Sequence, residues 1–136
     1  MKIILIVSAM LFATSANAGA QKPDDYNADN CDSPVLSELL ACTGADFDKA
    51  EKTLNTLYPK VMAALPNDAA RDSLRKSERA WLKGRDKQCT DENPDSPDGA
   101  EYPVEQNACL EQKDAARIKF LAEMKECRAS AVCRPH

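Results

Sequence analysis

The chain has 136 residues, with 22 acidic against 18 basic side chains and a formal net charge of −4. That length suits one domain built on a single core and leaves no comfortable room for two. The negative balance argues against nucleic acid and anionic membrane surfaces as partners; it favours a cationic protein, or serves only as a solubility charge.

Lys2, the apolar run over residues 3–13 and the small residues Ala16, Asn17 and Ala18 supply the three parts of an export signal, so residues 1–18 read as a signal peptide cleaved after Ala18. The apolar run is far shorter than the roughly 20 residues that span a bilayer. Gly19 stands where a lipid-anchored protein needs a cysteine, and a released protein of the bacterial periplasm or exterior, without a membrane anchor, is expected. Loss of Lys2 makes the mature chain one unit more negative. Residues 19–30 are polar, lack an apolar period and read as a flexible arm. Residues 31–136 then form a single domain.

Ser33 before Pro34 predicts a helix start, with a capping oxygen followed by a proline at the first helical position, where no amide is required. From there Leu36, Leu40, Phe47, Ala50, Leu54, Leu57 and Val61 recur at spacings of three, four or seven, which is one face of a helix. Gly44 and Pro59 interrupt that face and predict a break or bend near the first and a kink near the second. Pro66 and Asn67 mark a turn. A second helix, from about residue 68 to residue 89, turns Ala70, Leu74, Trp81, Leu82 and the stem of Arg85 inward.

Residues 90–103 carry Pro94, Pro97, Gly99 and Pro103 without an apolar period, a loop of a length unusual in a compact domain and therefore a candidate for function. A third helix, from about residue 104 to residue 126, has the stripe Leu110, Asp114, Arg117, Leu121 and Met124; its charged members imply that Arg117 is partly buried and ion paired. The tail from Cys127 to His136 offers little core material. Nothing alternates with period two for long enough to make a sheet. The fold class is all-α: a small antiparallel helical hairpin or bundle of about three main helices, stapled by disulfides.

The six cysteines, Cys31, Cys42, Cys89, Cys109, Cys127 and Cys133, all follow the signal. An even count in a short exported chain points to disulfides rather than metal or catalytic thiols, because an oxidising compartment removes the thiolate those roles need. Adjacent pairing, Cys31 with Cys42, Cys89 with Cys109 and Cys127 with Cys133, is the simplest of the fifteen connectivities that six cysteines allow.

For catalysis the chain offers little. Its single histidine is the terminal His136, poorly placed as a general base, and no zinc spacing, haem attachment sequence or phosphate loop is present. No enzyme activity, cofactor or metal is expected.

Five acids with no basic residue among them, Asp91, Glu92, Asp95, Asp98 and Glu101, concentrate negative field on the loop. They are the candidate partner-binding residues, and a bridge between Cys89 and Cys109 would hold them partly preorganised. The alternatives are a merely solvated loop and calcium binding, against which the acids lack the regular spacing of a calcium loop. Trp81 and Arg85, four apart on one helix face, read as packing residues, with Asp86 expected to pair with Arg117 across helices; a binding hot spot is the competing reading. Asn55 and Tyr58 read as core or helix-contact residues.

Leu54, Asn55 and Tyr58 on the first helix, then Ala80, Trp81, Arg85, Asp86 and Cys89, then Cys109 and Arg117, resemble the N-terminal domain of the LprI lysozyme inhibitor family over about residues 31–125. The tryptophan, arginine, aspartate and cysteine cluster is the specific part. Cys127 and Cys133 lie beyond the matched pattern, and Pro59 directly follows the matched tyrosine. The resemblance implies a small helical exported domain and, for some members, inhibition of lysozyme; lysozymes are generally basic, which suits the acidic loop. The resulting expectation is a monomeric, exported protein-binding domain that inhibits a cationic lysozyme by steric blocking. The alternative is a structural or stress-related envelope module with no lysozyme target.

Overall fold

The computed structural model describes residue 29 and residues 31–129, with side chains through residue 126. The signal peptide, most of the arm, the Cys127–Cys133 pair and His136 lie outside the described residues or side chains. Three helices make up the fold: α1 (Leu36–Ala64), α2 (Asp68–Asp91) and α3 (Tyr102–Ala129). α2 runs back against the direction of α1, and α3 returns parallel to α1 and packs chiefly along it. Among the described residues no strand occurs, and no helix is long and apolar enough to cross a membrane.

α1 begins two residues later than Ser33 and Pro34 suggested. Val35 is its N-cap and no side chain caps it. The Ser33 hydroxyl is engaged elsewhere: it accepts from the Val35 amide at 3.2 Å and donates to Glu38 at 2.7 Å, closing a local turn ahead of the helix. Nor does α1 break at Gly44. One uninterrupted helix carries Thr43, Asp46, Ala50, Leu54, Leu57 and Val61 to the interior, so tertiary burial outweighs the roughly 1 kcal/mol propensity cost of a helical glycine. The helix also continues through Pro59, an exposed position at which water can serve the carbonyl group left without a donor.

The turn between α1 and α2 is sealed from both sides. Asn67 accepts from the Ala70 amide at 2.9 Å as the N-cap of α2, and Arg71 donates to the Leu65 carbonyl at 2.8 Å near the end of α1.

Along its axis the bundle has three zones. Ala50, Leu54, Leu57, Val61 and Leu65 meet Leu74, Ile118 and Leu121 in the half nearer the α1–α2 turn, with Tyr58, Trp81 and Met124 packed against them. A layer of buried charge follows, and two disulfides close the far end, Cys31–Cys42 and Cys89–Cys109, with Cα separations of 5.7 and 5.6 Å. Four residues expected inside are not there. Leu36, Leu40 and Leu82 are exposed, because the apolar core ends before the charged layer, and Leu82 lies one 100° helical step from Trp81. Asn55 is exposed beside the buried Leu54 for the same angular reason.

Candidate partner-binding site

The charged layer is built around Trp81. The Arg85 and Arg117 guanidinium groups lie 5.4 and 5.3 Å from its ring centroid, and Arg117 is also 4.7 Å from that of Phe120. Arg85 donates to Asp114 through Nη1 and to Asp86 through Nε, both at 2.8 Å. Arg117 donates through Nε and Nη2 to Oε2 of Glu78 at 3.0 and 2.7 Å. The pair expected between Asp86 and Arg117 is therefore not formed. The antiparallel register held by Cys89–Cys109 brings Arg117 toward Glu78, while Asp86 stays exposed at the rim on Arg85.

Asp114 is fully buried, and its Oδ2 has no hydrogen-bond partner. Burial pushes its carboxyl above the ordinary carboxylate range, against the opposing pull of Arg85. Burial works against the charge of Arg85 as well, yet its bonds to Asp114 and Asp86 hold its pKa above the ordinary value. This layer joins α2 to α1 and α3 through Glu51, Asp114 and the Glu78–Arg117 pair.

The disulfide end is different. Asp91 is the last residue of α2 and is paired with Lys87, so the acidic segment is partly neutralised at its edge. Glu92 is the C-cap and accepts from Gln88 at 2.7 Å. Between the helices the loop is only residues 92–101, and Asn93 organises it: its Nδ2 donates to the Tyr102 carbonyl at 3.1 Å, and its Oδ1 accepts from the Asp95 amide at 3.0 Å. Asp95 is half-buried, whereas Asp98 and Glu101 are exposed.

Three adjoining grooves open at this end. The largest, about 400 Å³, runs beside Cys89–Cys109 and is lined by Glu92, Pro94, Glu105 and Glu111, among others. One of about 240 Å³ lies between the starts of α1 and α3 and shares Glu105; another of about 190 Å³ surrounds Cys31, Asp29 and Asp46 and shares Glu111. Among the described residues no basic side chain lines any of the three. The negative surface is thus wider than the loop. Glu105 and Glu111 were missed as members of it, although Glu105, Ala108 and Glu111 recur every three residues along one face of α3.

Cys31, Cys42 and Asp46 gather potential ligand atoms within 4.8 Å of one another, but the sulfurs are joined in a disulfide and offer no thiolate to a metal. The Asp46 carboxylate instead accepts the Asp29 amide through both oxygens, at 3.0 and 3.1 Å.

The family model of the lysozyme inhibitor LprI matches residues 28–121, a span containing both described disulfides, the Trp81 cluster and the acidic loop. The chain belongs to the LprI lysozyme inhibitor family. This LprI-family chain is also 30% identical over 136 residues to an uncharacterized protein of Rhizobium meliloti (strain 1021), covering 90% of this chain and 93% of that one. No solved structure matches it. The family is one of inhibitors rather than a known enzyme family, and the three-helix, disulfide-bonded architecture is the form that this member takes.

Proposed function

We propose that the protein is exported and inhibits a lysozyme by binding it and blocking access to its cleft, with no chemical step. Family membership over residues 28–121 carries this reading. The acidic disulfide end supports it: Glu92, Asp95, Asp98 and Glu101 stand on a loop pinned by Asn93 and by Cys89–Cys109, so little order remains to be gained on binding. A cationic enzyme surface would be drawn to this end, and the attraction would act chiefly on the association rate. The two disulfides favour an oxidising compartment, in agreement with the export signal read from residues 1–18.

Titration of the oxidised protein into lysozymes of several types, followed by cell wall lysis, tests the reading. Inhibition of at least one type is expected, and no inhibition of any type at micromolar excess overturns it. Neutralising Asp91, Glu92, Asp95, Asp98 and Glu101 to their amides should weaken inhibition and flatten its salt dependence. Unchanged affinity and salt dependence would remove the loop from the contact.

A further inference from the structure

Among the described residues, five large apolar side chains are conspicuously exposed, and three of them, Val35, Leu36 and Leu40, sit together at the start of α1 at 48%, 38% and 36% exposure. With Leu39 they form two pairs four residues apart, hence one stripe along the first turns of the helix. Leu36 and Leu39 line the groove that α1 makes with α3, and the opposite wall brings Glu101 and Glu105. An apolar strip beside carboxylates has the anatomy of a protein-binding patch, with a dry centre and a charged rim.

We propose that this stripe is the docking surface for a cationic protein, its apolar side chains receiving apolar side chains of the partner while Glu101 and Glu105 meet lysine or arginine at the rim. The proposal deepens the inhibitor reading and rests on it for the identity of the partner. Charge complementarity selects the occupant. An anionic membrane would be repelled by these carboxylates, and a second copy of this chain would set one acidic rim against another. A basic protein surface meets both parts of the patch favourably. The stripe supplies residence time, and the acids supply steering.

The test compares the wild type with Leu36→Ser/Leu40→Ser, with Glu101→Gln/Glu105→Gln and with Leu82→Ser, an apolar control of similar exposure on α2. Circular dichroism verifies that each variant is folded, and Val35→Ser, which lies ahead of the helix, replaces the leucine pair if that pair unfolds. Binding is measured to immobilised lysozymes of several types and to cytochrome c as a basic protein of another class. The leucine pair should weaken binding at least about tenfold, mainly through faster dissociation, with Leu82→Ser within about twofold of wild type. The glutamine pair should slow association and flatten its salt dependence.

Binding of cytochrome c but of no lysozyme, with the same dependence on Leu36 and Leu40, would refute the lysozyme reading and uphold the patch. The patch is overturned if the leucine pair binds like wild type, or if no basic probe is bound. A wild-type dimer in sedimentation that the leucine pair dissolves would also overturn it, since a second copy would then be the occupant.

Discussion

Arg85 and Asp114 form an ion pair inside the bundle, Nη1 to Oδ1 at 2.8 Å, in which the second carboxylate oxygen has no partner. A pair of this kind need not stabilise the fold more than well-packed apolar residues would, but removing Asp114 takes the one fully buried counter-charge from Arg85 and leaves it only Asp86 and Glu51 at the rim. Asp114→Ala should therefore destabilise the protein by about 1–3 kcal/mol in urea unfolding, since Asp86 and Glu51 still meet part of the Arg85 charge. Asp114→Asn should cost less, because it keeps an acceptor for Arg85.

The same carboxyl carries a pH signature. Burial raises its pKa in the folded state, so the folded protein holds that proton more tightly than the unfolded chain does. Its contribution to stability is then fullest below the unfolded-chain value, about 3.9, and is lost as pH rises through the elevated folded value. Unfolding free energies of wild type and Asp114→Asn, measured from about pH 3 to pH 7, should show the wild type losing ground to the variant as pH rises. A constant difference would contradict the elevated value.

Glu78 and Arg117 are joined by two hydrogen bonds, whereas Asp86 is bonded to Arg85. A double-mutant cycle with alanine at Glu78 and Arg117 should give a coupling of about 1–3 kcal/mol, and the cycle of Asp86 with Arg117 should lie within about 0.5 kcal/mol of zero. Equal coupling in the two cycles would place the partner of Arg117 wrongly.

Cys89 and Cys109 are separated by 20 positions and enclose the acidic loop. Replacing both with alanine should cost about 3 kcal/mol by the chain-entropy model. Amide exchange over residues 92–101 should rise more than exchange around Leu54 and Leu121, because the loop loses its base while the apolar core lies in the opposite half.

Gly44 lies inside α1, and a methyl group there would meet Nδ2 of Asn107 at 3.6 Å, an ordinary contact. Its backbone does not have positive φ. Gly44→Ala should accordingly stabilise the protein, by up to about 1 kcal/mol, read as a raised thermal midpoint.

Much of this architecture is legible along the chain because it is local. Proline, asparagine and glycine punctuate the turns, the spacing from Ala50 to Val61 marks the buried face of α1, and Cys31–Cys42 and Cys89–Cys109 join neighbours in sequence. The charged stripe of α3 likewise signals buried Asp114 and Arg117. Identity of partners is another matter. Glu78 rather than Asp86 receives Arg117 because the register of α2 against α3 decides it, and no periodicity within either helix contains that register. Leu36 and Leu40 continue the apolar period of α1 yet remain exposed, because the contiguous apolar core lies in the other half of the bundle, while Val104, Cys89, Thr43 and Asp46 fill the interior of the disulfide end. Helix positions and turns thus follow from short-range propensity and spacing. The acidic, partly apolar end arises only when parallel α1 and α3 bring Leu36 and Leu39 beside Glu101 and Glu105, residues more than sixty positions apart.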